Sequence, residues 1–209
     1  MGNNSSRFWD RHAEGYAKRA ISDEATYQQK LKKTQAYMTP EMSVLEIGCG
    51  TGTTAIYHAP YVNHIHAMDV SAEMVKIAEE KTKAAQIDNI TYDCSDFDSL
   101  NVDNEKYDMV MAHNLIHLLP DRDAALNKIN ALLKPGGMFV SSTACLHSGA
   151  LNLLRLILPI GQVFGRLPLV RFFSSRQFED SLTKAGFEVE FKWQPGKVKA
   201  FFVIARKVS

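Results

Sequence analysis

The chain predicts an α/β fold: one seven-stranded, mostly parallel sheet with helices on both faces, an antiparallel C-terminal hairpin and a helical cover. Three observations carry this. Short apolar, β-branched runs alternate with helical stretches, a pattern that buries a parallel sheet on both faces. A glycine-rich turn, CGTGTT, directly follows the first such run and opens a helix. The last two runs are separated by Pro195 and Gly196, as in a hairpin.

In chain order, helical character is expected from Ser5 to Arg19 and from Asp23 to Met38, where Tyr27, Leu31 and Thr34 recur at helical spacing and Pro40 supplies the stop. SVLEIG is the first strand. HIHAMDV is a strand, AEMVKIAEEKTKAA a helix, NITYDCS and YDMVMAHN strands, DAALNKINALL a helix and GMFVSSTA a strand. Arg176 to Ala185 reads as a helix, and GFEVEFKWQ and KVKAFFVIARK as the final pair. The simplest organisation is a single domain over residues 1–209: a helical cover (1–40), a ligand-binding core (41–145), a helical insertion (146–175) and a last helix with its hairpin (176–209).

With 45% hydrophobic and 22% charged residues, 209 residues suffice for one well-buried core. The formal charge of +1 gives no global drive toward nucleic acid. That charge is unevenly distributed, net −7 over residues 1–123 and +8 over 124–209, with no Asp or Glu from Ala124 to Phe178. Cys49, Cys94 and Cys145 lie far apart, without disulfide or metal-ligand spacing, which fits a reducing, cytoplasmic setting. The polar N-terminus has no apolar signal core. Leu151 to Phe173 is the most apolar stretch, but Arg155, Pro159, Gly161, Arg166 and Arg171 interrupt it.

Glu46, Gly48, Gly50 and Gly52 form E-x-G-x-G-x-G at the carboxyl end of the first strand, where open α/β sheets bind ligands. Glycine there lets backbone approach a ligand closely. A dinucleotide fingerprint requires G-x-G-x-x-G, but position 53 is Thr, which weighs against an NAD-dependent oxidoreductase. Asp69 ends the next strand, 21 residues after Gly48, where a carboxylate can accept ribose hydroxyls. Taken alone, it reads equally well as an acid capping the helix that begins at SAEMV.

These motifs resemble the class I S-adenosylmethionine-dependent methyltransferases, and the closest look is to small-molecule enzymes of the quinone-biosynthesis type. VLEIGCGTG is similar to the family's first motif, MDVSAEMV to its second, and CSDFDSL to the adenine-contacting segment. YDMVMAHNLIHLLPD resembles the fourth-strand motif and LLKPGGMFV the turn into the fifth strand. The resemblance implies a Rossmann-like sheet and S-adenosyl-L-methionine as cofactor. Gly48, Cys49, Gly50 and Gly52 would line its aminocarboxypropyl end, with Glu46 orienting the loop or reaching the amino group through water. Asp69, Val70 and Met74 would meet ribose and adenine, Asp96 the adenine amino group, and Phe97 would supply its N–H and an apolar wall. His113 would contact the cofactor from the fourth strand. FWDRHAEGYA resembles the covering helix, with Tyr16 as the lid; Phe8 and Trp9 read equally as a buried helical stripe.

Methyl transfer is an in-line displacement that needs chiefly positioning and exclusion of water. A hydroxyl or carbon acceptor also needs a base, and His117 and His113 follow the fourth strand where an acceptor would approach. His64 and His66 share a strand face without an acid or thiol at ligand spacing, so no metal site is expected. The insertion, apolar with interspersed arginines, suits a small hydrophobic acceptor, lipid- or quinone-like; it also reads as a peripheral membrane contact or a homodimer surface. A noncatalytic sensor or subunit binding S-adenosylmethionine or its demethylated product is the alternative from another class.

Overall fold

The computed structural model describes residues 2–101, 106–145, 169–196 and 199–208. Five parallel strands, β1 (Ser43–Ile47), β2 (His64–Asp69), β3 (Ile90–Cys94), β4 (Tyr107–His113) and β5 (Leu133–Thr143), join an antiparallel hairpin, β6 (Phe187–Trp193) and β7 (Phe201–Lys207). β7 inserts beside β5, giving the order β3-β2-β1-β4-β5-β7-β6. The order reverses between β1 and β4, and the crevice beyond their carboxyl ends is where such sheets bind ligands.

Among the described residues six α-helices accompany the sheet: α1 (Gly2–Ala17), α2 (Glu24–Gln35), α3 (Thr53–His58), α4 (Ala72–Ala84), α5 (Arg122–Leu132) and α6 (Ser175–Lys184). Side-chain caps set several of their starts. Asp23, Ser71 and Asp121 accept N–H groups at the beginnings of α2, α4 and α5, and Ser174 with Gln177 forms a reciprocal capping box on α6. The helix expected to run to Met38 ends instead at Gln35. The turn bonds Tyr37 N to Thr34 O and Met38 N to Gln35 O tighten the chain before Pro40 is reached.

Strand alternation divides the buried side chains between two cores. Leu45 and Ile47 of β1 pack with Leu126 and Ile129 of α5 and Phe178 and Leu182 of α6. Val44, Ile65 and Met109 face the other way, with Ala55 of α3. At the amino-terminal edge of the sheet, the Asp108 carboxylate accepts Ser43 N–H at 2.8 Å and the Lys134 ammonium at 2.8 and 2.9 Å, joining the starts of β1, β4 and β5.

The insertion expected over 146–175 lies outside the described residues up to position 168. Residues 169–173 run without regular structure into α6. Among the described residues no helix is long and apolar enough to cross a membrane.

Candidate active site

The loop after β1 is built on three left-handed glycines, Gly48, Gly50 and Gly52, with φ of 67°, 54° and 72°. Asp69 braces it from β2: one carboxylate oxygen accepts Gly50 N–H and the other Ser71 N–H, each at 2.9 Å. Ser71, not Asp69, is the N-cap of α4; Asp69 holds the Ser71 N–H behind that cap and also lines the cleft. With Val70 N–H also acting on it, the carboxylate keeps one lone pair for a ligand. Burial pushes its carboxyl up, against the lowering effect of the Ser71 and Gly50 N–H groups.

Two cavities meet at this loop. The larger, about 760 Å³, is lined by Gly48, Gly50, Asp69, Val70, Met74, Asp96, Phe97, His113, His117 and Tyr16, ten of the residues expected at the site. Leu115, which lies directly against Gly48, forms with Leu118, Leu119, Leu169 and Val170 an apolar arm of this lining that also holds Arg171. The smaller, about 340 Å³, lies across the loop and is the more polar of the two, with Glu46, Cys49, Lys30, His58, His113 and Ser142 among its lining residues. Tyr16, Gly48, Gly50, His113 and Asn114 line both.

The smaller chamber holds buried polar atoms without partners: Glu46 Oε2, both ring nitrogens of His58, and His113 Nε2. Burial, with Asp69 nearby, pushes the Glu46 carboxyl up to about 8. Burial holds His58 down to about 4 and, reinforced by His58 and Lys30, His113 to about 3. Lys30 donates to Ser142 Oγ at 2.8 Å, and burial lowers its pKa. Isolated buried polar groups are costly, so this unpartnered set stands out from the rest of the core.

In the lining of the larger cavity, Asp96 caps the turn Phe97–Ser99 by accepting Asp98 N–H at 3.1 Å. Phe97 is buried beneath the Lys128 ammonium, 4.9 Å from the ring centroid. Tyr16 stands over the loop, its Cε1 3.9 Å from where a Cβ on Gly50 would lie, and burial followed by Asp69 raises its phenol pKa. Trp9 also lines the cleft, whereas Phe8 stacks on His12 at 4.3 Å.

Some expected residues stand elsewhere. Gly52 lines neither cavity: a Cβ there would meet Ala78 Cβ and Tyr92 Oη at 2.7 Å, so its role is close packing of α4. Glu46 and Cys49 line only the polar chamber. His66 does have an acid beside it, Asp93 Oδ2 at 2.6 Å from Nε2, because Asp93 lies two residues beyond Thr91, the β3 register partner of His66. Tyr107 holds the other ring nitrogen at 2.7 Å. Among the described residues no group of three or more His, Cys, Asp or Glu could hold a metal ion.

Other residues came to light only in three dimensions. Asp10 of α1 accepts the Ser71 hydroxyl at 2.6 Å and fastens the covering helix to α4. Lys30 and His58 enter the polar chamber from α2 and α3, and Thr143 of β5 meets His117 Nδ1 at 3.2 Å. Ser71 alone carried a readable signal, as the cap before AEMV.

Residues 44–137 match the family described as "Methyltransferase domain". The chain is 30% identical over 100 residues to a ubiquinone biosynthesis O-methyltransferase of Coxiella burnetii, covering 48% of this chain and 42% of that protein. It is 27% identical over 191 residues to a malonyl-[acyl-carrier protein] O-methyltransferase of Methylovorus sp., covering 87% and 62%. The chain thus spans less than two thirds of either relative. The solved structure of YcgJ from Bacillus subtilis superposes with a TM-score of 0.72 at 16% identity, over 87% of this chain and 99% of that one. A SAM-dependent methyltransferase from Aquifex aeolicus gives 0.66 at 21%, over 86% and 89%. These structural likenesses establish the fold. In its strand order, its glycine loop and the sequence match over residues 44–137, the chain is similar to the class I S-adenosylmethionine-dependent methyltransferases.

Proposed function

We propose that the chain transfers the methyl group of S-adenosylmethionine to a small hydrophobic acceptor. The observation that carries this reading is the meeting of a polar chamber and an apolar arm at one glycine loop. The cofactor family supplies an activated methyl carbon on a sulfonium; the protein's work is to hold, orient and dry the reactants.

Each compartment suits one part of that pair. Asp69 accepts a ribose hydroxyl with its spare lone pair, Asp96 the adenine amino group, and Val70, Met74 and Phe97 wall the base. A charged amino-acid end is disfavoured against leucines and favoured in the chamber, where Lys30 can meet a carboxylate and the orphaned Glu46 oxygen an ammonium. That leaves the arm beside His117 for the acceptor. Tyr16 presents an aromatic face over the loop, favourable to a sulfonium by about 0.5–2 kcal/mol. The two relatives, named for ubiquinone biosynthesis and for malonyl-[acyl-carrier protein], are both named O-methyltransferases, which supports oxygen as the accepting atom.

Titration with S-adenosylhomocysteine in a calorimeter tests the cofactor half, and mass-spectrometric product detection over hydrophobic hydroxyl compounds, fatty acids and amines tests turnover. Binding with turnover supports the reading. Binding without any product would favour the noncatalytic sensor, and stabilisation by NAD alone would favour the oxidoreductase.

A further inference from the structure

We propose that two lysines outside the cleft, Lys81 of α4 and Lys128 of α5, are positioning residues that divide the hold on the cofactor: Lys81 sets the loop that takes its amino-acid end, and Lys128 the turn that takes its adenine. This rests on the cofactor placement proposed above and adds two residues that touch no ligand.

Neither lysine lines either cavity, yet each grips two residues that line one of them. Lys81 Nζ donates to Thr51 O at 3.0 Å and to Thr53 Oγ at 2.5 Å, on either side of Gly52, and both threonines line the polar chamber. Lys128 Nζ donates to Phe97 O at 2.6 Å and to Asp98 O at 2.9 Å, and both of those residues line the larger cavity.

A half-buried lysine ordinarily lays its stem over apolar surface and keeps its charge in water or in an ion pair. Here the charge is turned inward. Among the described residues neither lysine joins a salt bridge, whereas Lys134 and Lys192 each hold a carboxylate. Burial lowers the pKa of Lys81, and it lowers that of Lys128 despite the nearby Asp98 and Asp96. Carbonyl and hydroxyl oxygens replace the lost hydration, so these bonds are charge-assisted.

Both lysines anchor a peptide plane whose other side closes a ligand-facing turn. Phe97 C=O and Asp98 N–H share one rigid plane. Lys128 holds the carbonyl, and Asp96 Oδ1 accepts the N–H at 3.1 Å, so the ammonium orients the carboxylate assigned to the adenine amino group. Thr51 C=O and Gly52 N–H share another plane. Lys81 holds that carbonyl, and Cys49 O accepts the N–H at 3.0 Å, which fixes the bend from Cys49 to Gly52.

The test uses Lys81→Met and Lys128→Met, which keep an apolar stem and lose the charge, with Lys81→Gln and Lys128→Gln as second neutral variants. Calorimetry reads affinity for S-adenosylhomocysteine. Ligand-observed NMR reads it for two fragments: S-ribosylhomocysteine, which lacks the base, and methylthioadenosine, which lacks the amino-acid end. Lys128→Met should lower affinity for S-adenosylhomocysteine and methylthioadenosine about tenfold while S-ribosylhomocysteine stays within about twofold. Lys81→Met should weaken S-adenosylhomocysteine and S-ribosylhomocysteine and spare methylthioadenosine. The glutamine variants should repeat each pattern. Parallel loss of both fragments at either position, or no loss at either, would overturn the proposal, as would a wild type that binds the whole ligand but neither fragment. Failure of wild type to bind S-adenosylhomocysteine at all would instead remove the cofactor reading beneath it.

Discussion

Asp69 holds Gly50 by a 2.9 Å hydrogen bond from the glycine N–H, so the acid ending β2 shapes the loop ending β1. The same carboxylate takes Ser71 N–H, coupling loop geometry to the start of α4. A ligand hydroxyl joining these bonds meets an acceptor already fixed in place.

Asp69→Ala should therefore weaken S-adenosylhomocysteine binding by about 1.5–3 kcal/mol, the range for a hydrogen bond to a charged group. Calorimetry of the folded variant reads this directly. An unchanged Kd would reject the assigned cleft.

Gly50 and Gly52 should fail in different ways. Both have positive φ, which costs a substituted residue about 1–2 kcal/mol. Around Gly50 only Tyr16 comes within 4 Å of a new Cβ, so Gly50→Val should remain folded yet lose cofactor binding because its side chain occupies the approach path. Gly52→Ala would drive a methyl to 2.7 Å from Ala78 Cβ and Tyr92 Oη, adding about 1–3 kcal/mol of overpacking. Thermal melts should show the larger loss in Gly52→Ala, and a reversed order would contradict the assignment.

Acid should destabilise the fold through His58. The ordinary imidazole pKa of 6.5 falls to about 4 in the folded chain, so between those values the unfolded state binds more protons and stability rises with pH. The stabilisation is complete above about 6.5 and is lost as pH falls toward 4, a swing of roughly 3 kcal/mol. Glu46 tilts the opposite way, its folded carboxyl holding a proton from about 4.5 up to about 8. The informative measurement is thus the difference between wild type and His58→Leu in urea melts at pH 7.5 and 5. Wild type should lose more on acidification, and parallel losses would show that His58 does not titrate on unfolding.

Asp10→Ala should loosen the covering helix. Removing the acceptor of the Ser71 hydroxyl costs about 1 kcal/mol, and amide exchange in α1 should quicken while that in β1 and β4 stays slow. Uniform quickening would mean that α1 is not a separable cover.

What could be read from the chain was local. The run SVLEIG, the glycines after it and the acid at position 69 each declare themselves within a few residues, because strand period and glycine backbone freedom are short-range properties. The pairings that refine the site are not. Lys30 meets Ser142 across 112 positions, Asp10 meets Ser71 across 61, and Thr143 meets His117 across 26. Each depends on which strand or helix becomes whose neighbour. His66 misled for the same reason, since Asp93 becomes its partner only through the β2–β3 register. Gly52 looked like its two companions, and only the position of α4 gives it a different task.

Asp108 gathers the beginnings of three strands at the rim farthest from the glycine loop. Assembly and chemistry are thereby assigned to opposite poles of the sheet: one clasped by a carboxylate, the other left to loops and side chains that can be exchanged piecemeal. Engineers wishing to retune which molecule is accepted can work at the second pole while leaving the clasp, and with it the registration of the strands, untouched.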